Sequence, residues 1–175
     1  MNFYIMDNTK IEFRESVTSA EAQLFQKWLK QEPDITGLSA QEILHAKKVI
    51  VATKNNTMAG FCTIDQPIQS CAILSSLYVH PDFRAQGIGR ELFKRQIGIA
   101  SRPNQLLVSS SRNPHVLAWL KDAGFTQYPS IWQLPKCAMF SLMAHAWSFY
   151  RLQQYIQKKT HGMALNGFQY AVRSL

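Results

Sequence analysis

A short glycine-containing segment carries the clearest chemical signal in this sequence. Residues 84–89 read Arg-Ala-Gln-Gly-Ile-Gly and lie between a predicted strand and a predicted helix. Glycines in such a turn let backbone N–H groups approach a bound anion without interference from a Cβ atom, and the helix N-terminus adds a partial positive charge. The segment therefore predicts a phosphate-binding loop, although close packing of the helix on the strand is an alternative reason for glycine. Its spacing matches neither the dinucleotide-binding fingerprint nor the P-loop.

The positive charge of the chain is concentrated in its second half. The formal net charge is +8, and residues 81–175 carry 12 Lys and Arg against three Asp and Glu. No carboxylate side chain follows Asp122. Such a charge distribution favours a polyphosphate ligand, a nucleic acid or an anionic membrane surface, and its sign alone does not choose among them.

Length and composition are typical of a soluble protein with one core. The 175 residues are 46% hydrophobic and 17% charged, which excludes a mainly disordered chain. No apolar run reaches the roughly 18 residues of a membrane helix, and the first ten residues lack the pattern of a secretory signal. Cys62, Cys71 and Cys137 form no CxxC pair, which argues against a disulfide framework or a zinc site. We therefore expect a cytoplasmic protein without a metal.

Hydrophobic periodicity predicts a mixed α/β domain. Two helix starts are marked by capping boxes, one formed by Thr18 with Glu21 and the other by Ser39 with Glu42. A third helix is expected to start near residue 88, and a fourth at Asn113. The strand over residues 71–79 is the most apolar, which favours a central place in the sheet. The predicted strands cover residues 10–17, 49–54, 58–64, 71–79 and 106–108.

Two segments together resemble a known family. Residues 77–93, Leu-Tyr-Val-His-Pro-Asp-Phe-Arg-Ala-Gln-Gly-Ile-Gly-Arg-Glu-Leu-Phe, resemble the acyl-CoA signature of the GNAT N-acetyltransferase superfamily. The helix from Asn113 to Gly124 is similar to the second conserved segment of that family. The resemblance implies a three-layer fold with a mostly antiparallel twisted sheet, splayed central parallel strands and helices on both faces. It also implies an acyl-CoA-binding domain over residues 1–135 and a C-terminal helical extension over residues 136–175.

The resemblance implies acetyl-CoA, or another acyl-CoA, as co-substrate and no metal. The pantetheine arm would lie between the splayed strands and pair with the backbone of Leu77 and Val79, whose N–H would polarise the thioester carbonyl. Arg84 would lie at the edge of the pyrophosphate site, and the Asn113 side chain would contact pantetheine or a nearby water. The pyrophosphate itself would be held by the backbone amides of Gln86, Gly87, Ile88, Gly89 and Arg90.

The implied reaction is direct transfer of an acyl group from CoA sulfur to a primary amine in a ternary complex. Many members of the family place a tyrosine acid and a glutamate base at positions where this chain has Leu120 and Ser75. Three side chains are the main candidate substitutes for these two residues, and the Val79 N–H keeps its separate role at the thioester carbonyl. Tyr78 is a candidate acid or a packing residue, His80 a titrating group or a turn residue, and Ser75 a holder of a water relay.

The acceptor and the C-terminal extension are less closely defined. In the family, residues 32–38 form one wall of the acceptor site, where Glu32 and Asp34 would attract a cationic amine. Residues 138–159 contain no Pro or Gly and predict one long helix with a broad apolar face. That face would pack on the same domain, form a homodimer, or contact a membrane surface through Lys158 and Lys159. Residues 167–174 predict a final strand.

Three functions are therefore compatible with the sequence. The first is an N-acyltransferase acting on a small-molecule or peptide amine. The second is an acyl-CoA-binding module without turnover, which the missing tyrosine and glutamate suggest. The third is a nucleic-acid-binding protein on the same fold; we expect no specific nucleic-acid partner, because the interleaved aromatic and basic pattern of such surfaces is not evident.

Overall fold

The computed structural model describes residues 11–32, 35, 37–160 and 167–175, and it shows one seven-stranded sheet with helices on both faces. The strands lie in the order β1-β2-β3-β4-β5-β7-β6. Neighbouring strands are antiparallel, apart from the parallel pair β4 and β5. The strands are β1 (Ile11–Arg14), β2 (Lys48–Lys54), β3 (Thr57–Ile68), β4 (Cys71–Val79), β5 (Leu106–Ser111), β6 (Thr126–Tyr128) and β7 (Gln169–Ser174). This arrangement confirms the predicted fold class, including the central position of β4.

Six α-helices surround the sheet in the described part of the chain. They are α1 (Ser19–Gln31), α2 (Ala40–His45), α3 (Ile88–Ala100), α4 (Pro114–Asp122), α5 (Lys136–Ala146) and α6 (Phe149–Thr160). Helices α3 and α4 pack on one face, where Leu74 and Leu107 of the sheet meet Phe93 and Leu120. Helices α1, α2 and α5 pack on the other face. No helix in these ranges has the length and apolar character needed to cross a bilayer.

The helix starts follow the local sequence signals. The Thr18 hydroxyl accepts a hydrogen bond from the Glu21 backbone, and the Glu21 carboxylate accepts one from the Thr18 backbone. Ser39 and Glu42 make the same reciprocal pair at the start of α2. These hydrogen bonds confirm both predicted capping boxes. Each box involves residues three positions apart, so it can be predicted directly from the sequence.

The C-terminal segment differs from the prediction of one long helix. The chain forms α5 and α6, which are separated by Trp147 and Ser148. No Pro or Gly lies at this break. Its one local signal is Ser148, because serine favours the N-terminus of a helix. The break lets α5 pack on the sheet through Ala138 and Leu142 while α6 packs beside α1 and α2.

Three strands differ clearly from their predicted bounds. Strand β1 ends at Arg14, before the predicted end at residue 17. Strand β5 continues beyond its predicted end at Val108 through Ser111, because Ser109, Ser110 and Ser111 pair with β7. Strand β3 extends to Ile68, beyond the predicted end at residue 64. The predicted final strand is present as β7, and it lies between β5 and β6.

Helix α6 is tied to α1 and α2 by polar contacts. The Lys158 ammonium donates hydrogen bonds to the carbonyl oxygens of Leu29, Glu32 and Ile35, at distances of 2.9, 2.6 and 2.6 Å. Arg151 Nε donates to a Glu42 carboxylate oxygen at 2.9 Å. Because Lys158 lies at the C-terminus of α1, its charge also complements the dipole of that helix.

Candidate active site

The two central parallel strands separate part of the way along their length. Strands β4 and β5 pair from Cys71 with Leu106 as far as Leu74 with Ser109. Beyond that point β4 continues to Val79, whereas the remaining residues of β5 pair with β7 on their other side. The Ser109 hydroxyl donates to the Leu74 carbonyl oxygen at 3.2 Å, at the point of separation. The sheet therefore contains a gap between β4 and β5.

A β-bulge lies beside this gap. The register between β3 and β4 shifts between Cys62 and Ile64, so that Ser75 and Ser76 together oppose Thr63. Gln96 of α3 supports the bulge, because its Nε2 donates to the carbonyl oxygens of Thr63 at 2.7 Å and Ser75 at 2.8 Å. A bulge bends its strand, which accounts for the divergence of β4 from β5 just after Leu74.

The backbone groups of Leu77 and Val79 face the gap. The His80 N–H donates to the Ala59 carbonyl at 2.8 Å, which makes Gly60 and Val79 a pair without mutual hydrogen bonds. Such pairs alternate along an antiparallel ladder, so Leu77 is turned the same way as Val79. Both N–H groups therefore point away from β3, in the orientation that the family resemblance requires for pairing with pantetheine.

The glycine loop leads into the N-terminus of α3. Gly87 is the N-cap and has φ +79°, a conformation that favours glycine, and no side chain caps this helix start. The N–H groups of Ile88, Gly89 and Arg90 lie in the first turn, where helical amides have no intrahelical acceptor. Lys54 Nζ donates to Gln86 Oε1 at 2.8 Å and brings another cation to the loop. This exposed turn has the geometry of an anion site.

The two glycines of the loop differ in their surroundings. A Cβ atom on Gly87 would meet no atom within 4 Å, so its backbone conformation is what favours glycine. A Cβ atom on Gly89 would lie 3.4 Å from Val79 Cγ2 and 3.6 Å from the Trp119 ring, which are ordinary van der Waals distances. Packing on β4 alone therefore does not require glycine at position 89.

Two predicted cofactor-binding side chains contact protein groups. Arg84 Nη2 lies 2.6 Å from a Glu32 carboxylate oxygen, and Arg84 Nε donates to the Val79 carbonyl at 3.0 Å. Asn113 Oδ1 accepts the His115 N–H at 2.9 Å and caps α4. Their predicted contacts with CoA stay predictions. Asp34, predicted with Glu32 to attract a cationic acceptor, lies outside the described residues.

Tyr78 and His80 lie in an aromatic group. Tyr78 is 6% exposed and stacks on Trp28 with ring centroids 5.4 Å apart. Burial raises the pKa of the Tyr78 hydroxyl, and the nearby Glu32 carboxylate raises it further. His80 also packs on Trp28, and its Nδ1 lies 3.5 Å from an Asp82 carboxylate oxygen. Tyr78 thus has the surroundings of a packing residue, and the acid roles of Tyr78 and His80 stay predictions.

Ser75 belongs to a cluster that sequence reasoning did not assemble. Its hydroxyl oxygen lies 3.2 Å from Nε2 of His145, a residue of α5. His145 Nδ1 lies 3.4 Å from an Asp65 carboxylate oxygen, and the nearby Ser75 hydroxyl lowers the pKa of Asp65. His145 was not among the predicted site residues, because 70 positions separate it from Ser75 and no local pattern links them. Leu120, at the family's usual tyrosine position, is fully buried in the core.

Burial changes the pKa values of the two ionisable members of this cluster in opposite directions. Burial lowers the pKa of His145 to about 3, and the neighbouring Arg151 guanidinium lowers it further. Burial raises the pKa of Asp65 to about 6, against the lowering effect of Arg151 and the Ser75 hydrogen bond. His145 is therefore neutral and Asp65 mainly ionised at pH 7. The two side chains also line an open cleft with His45, Lys47, Gln66 and Pro67.

Comparison with known proteins agrees with the family resemblance. Residues 45–127 match the family model of the acetyltransferase (GNAT) domain. This match is to the same family that residues 77–93 and 113–124 resemble, and it supports that resemblance. No curated protein matched the sequence.

Solved structures with low sequence identity share the fold. N-acetylglutamate synthase from Neisseria gonorrhoeae, complexed with coenzyme A and N-acetyl-glutamate, is similar over 95% of this chain at 15% identity and a TM-score of 0.59. This chain spans 35% of that protein's length. Rv2747 from Mycobacterium tuberculosis, complexed with CoA, is similar over 94% of this chain and 99% of its own, at 12% identity and a TM-score of 0.66.

A third similar structure is the ribosomal-protein-S18-alanine N-acetyltransferase from Escherichia coli. It covers 68% of this chain and 79% of its own length, with 20% identity and a TM-score of 0.55. At these sequence identities the comparisons establish the fold alone. The substrates named for the three proteins are properties of those proteins.

Proposed function

We propose that this protein transfers an acetyl or other acyl group from acyl-CoA to a primary amine by direct attack in a ternary complex. The observation that carries the proposal is the gap between β4 and β5, with the backbone of Leu77 and Val79 turned into it. At one end of the gap lies the N-terminus of α3, with the conformation expected of a pyrophosphate site. The CoA-bound state of two similar structures supports the same cofactor here.

The residues present fit the chemistry of CoA. The amides of the first turn of α3 would hold the pyrophosphate, and the basic second half of the chain would favour the remaining phosphate. Between the strands, the N–H groups of Leu77 and Val79 would hold pantetheine and the thioester carbonyl. The bound acyl-CoA supplies the activated acyl group, and the protein binds it, orients it and removes the proton of the attacking amine.

Calorimetric titration with acetyl-CoA tests the cofactor site. We expect binding by the wild-type protein and its loss in Gly87→Glu, because this change places a side chain and a negative charge where the pyrophosphate would lie. Gly98→Glu is the matched control: it adds the same charge farther along α3, at a position where a Cβ meets no atom within 4 Å. Equal affinities of Gly87→Glu and wild type would contradict the proposed site.

Release of free thiol from acetyl-CoA tests turnover. The panel of acceptors contains lysine, spermidine, an aminoglycoside and a peptide with an unblocked N-terminus. We expect thiol release with at least one of these amines and loss of that release in Gly87→Glu. Binding of acetyl-CoA without release across the panel would instead favour a binding module, the alternative suggested by Leu120 and Ser75 at the family's usual acid and base positions.

We further propose that the C-terminal helices mediate a homodimer. Trp147 is 89% exposed and Phe149 85% exposed at the junction of α5 and α6, and exposed aromatic groups of this kind are typical of association surfaces. Sedimentation analysis of the wild type should show a dimer, and the double change Trp147→Ser with Phe149→Ser should shift it to monomer. A wild type that stays monomeric at all concentrations would contradict this proposal.

A further inference from the structure

The Asp65, Ser75 and His145 cluster lies where the gap between β4 and β5 begins, four residues before Val79 along β4. Ser75 directly follows Leu74, the last residue of β4 that pairs with β5, so it sits where the gap opens. It shares a face of the sheet with Ile73 and Tyr78, whose side chains belong to the clusters under α5 and α1. Ser75 therefore lies beside the gap, whereas Asp65 and His145 line the open cleft on the same face.

The distances favour one arrangement of protons. A neutral imidazole carries a proton on one nitrogen and a lone pair on the other. With the proton on Nδ1, His145 faces the Asp65 carboxylate at 3.4 Å, and the lone pair of Nε2 faces the Ser75 oxygen at 3.2 Å. The serine hydroxyl has one proton and two acceptors within reach, Asp65 and Nε2. When the hydroxyl turns towards Nε2 it can pass its proton to His145, and Asp65 is placed to stabilise the imidazolium that would form.

We propose that Ser75, His145 and Asp65 form the proton relay of acyl transfer. The proposal rests on the N-acyltransferase function proposed above. The amine attacks in its neutral form, after its ammonium proton has gone to solvent: its nitrogen forms a bond to the acyl carbon and the carbon–sulfur bond breaks. The remaining amine proton passes through water in the gap to Ser75 Oγ while the serine proton passes to His145 Nε2. CoA leaves as the thiolate and takes a proton from solvent, and His145 returns its proton to solvent through the open cleft that it lines with Asp65.

The relay makes the C-terminal extension part of the active site. His145 is in α5, ten residues beyond Pro135, and its carbonyl oxygen accepts a hydrogen bond from Arg151 of α6. Arg151 in turn donates to Glu42 of α2, so the end of α5 is fixed against the core of the domain. Asp65 and Arg151 act through His145 and are positioning residues.

The charged groups around His145 determine the expected pH dependence. Asp65 of β3 and Ser75 of β4 face its ring, while Arg151 of α6 and Glu42 of α2 contribute opposite charges. His45 and Lys47 line the same cleft. Protonation of Asp65 near pH 6 removes the charge that would stabilise the imidazolium, so kcat should fall on the acid side with a midpoint near pH 6.

The experiment compares Ser75→Ala, His145→Gln and Asp65→Asn with His115→Gln, a control at an exposed histidine of α4. Each full-length variant is titrated with acetyl-CoA by calorimetry, and thiol release is measured with the panel amine that the wild type uses best. We expect Ser75→Ala and His145→Gln to lower kcat by about 100-fold or more. The KM and Kd for acetyl-CoA should stay within about twofold, and Asp65→Asn should remove the acid midpoint near pH 6.

A second readout does not depend on turnover. Nitrogen NMR of the imidazole groups should show His145 with a protonated Nδ1 at pH 7, and Ser75→Ala should shift the Nε2 resonance. The His145 signals are identified by their absence in His145→Gln. An Nε2 resonance unmoved by Ser75→Ala would overturn the relay.

The activity outcomes separate the two proposals. Wild-type thiol release together with a His145→Gln kcat equal to that of His115→Gln would overturn the relay and leave the acyltransferase function standing. No release by the wild type with any amine in the panel would overturn the function, and the relay with it.

Discussion

Gln96 Nε2 lies 2.8 Å from the Ser75 carbonyl oxygen and joins α3 to the bulge in β4. The same nitrogen donates to the Thr63 carbonyl at 2.7 Å, and the Gln96 side chain is 1% exposed. One buried amide thus satisfies two carbonyl groups that the irregular register leaves outside the β-ladder. The shape of the gap between β4 and β5 consequently depends on a side chain of α3. This helix packs on one face of the sheet, and α1 and α5 pack on the other.

Replacing Gln96 by Leu should therefore reduce stability. The change keeps most of the side-chain volume but leaves two buried carbonyl groups without their donor, so the free energy of unfolding should fall by about 2 kcal/mol. Urea unfolding measures this change. Gln41→Leu, at an exposed position of α2, is the control and should stay within about 0.5 kcal/mol of wild type. Equal stabilities of the two variants would show that the Gln96 hydrogen bonds contribute nothing.

Gly60 and Gly98 should respond in opposite directions to alanine. A Cβ atom on Gly60 would lie 2.5 Å from the Tyr78 carbonyl oxygen and 3.2 Å from Val79 Cα, so Gly60→Ala must displace the backbone of β4. We expect a loss of about 2 kcal/mol and weaker binding of acetyl-CoA. Gly98, in α3, has open space around its Cβ position, and Gly98→Ala should increase stability by about 0.5–1 kcal/mol. Thermal unfolding and calorimetry check both, and a tolerated Gly60→Ala would contradict the close approach of β3 and β4.

Lys158 and its neighbour Lys159 form a matched pair for testing how α6 is attached. Lys158 is 4% exposed and donates to three carbonyl groups at the end of α1, whereas Lys159 is exposed. Lys158→Met should lower the free energy of unfolding by about 2–3 kcal/mol, because hydrogen bonds from a charged donor are lost. Lys159→Met should change it by at most about 0.5 kcal/mol. Chemical denaturation of both proteins gives the comparison, and similar losses would argue against a specific role of the buried ammonium.

The buried His145 should make stability depend on pH. Its pKa in the folded protein is about 3, below the ordinary value of 6.5. Above pH 6.5 the imidazole is neutral in both the folded and the unfolded chain, so the full stability is present there. As the pH falls below 6.5 the unfolded chain takes up the proton, at a cost of about 1.4 kcal/mol per pH unit. Wild type should therefore lose about 2 kcal/mol more than His145→Gln between pH 6.5 and pH 5.

Urea titrations at each pH provide that difference. Asp65, whose pKa is raised to about 6, has the opposite effect: its ionised form disfavours folding above pH 6, and this cost is relieved as the pH falls. Asp65 is present in both proteins, so its contribution largely cancels in the comparison. Parallel pH profiles for wild type and His145→Gln would contradict the burial of a neutral imidazole.

Sequence by itself determined the features that depend on neighbouring residues. The capping boxes at Thr18 and Ser39, the proline after Asn113 and the glycine loop before α3 are each set by residues within a few positions of one another. Hydrogen bonds and backbone conformations of this kind form between close neighbours in the chain, so residue types and spacing are enough to predict them. The family resemblance drawn from the same segment supplied the fold class and the candidate cofactor site.

Only the tertiary structure decided which distant residues meet. The break between α5 and α6 carries no Pro or Gly, yet it places His145 beside Ser75 and Lys158 beneath the end of α1. Likewise, β7 pairs with β5 as well as β6, which extends β5 through three serines beyond residue 108, the end predicted from sequence. Contacts between residues that are distant in sequence depend on how whole helices and strands pack, and a residue's neighbours in sequence do not encode that packing.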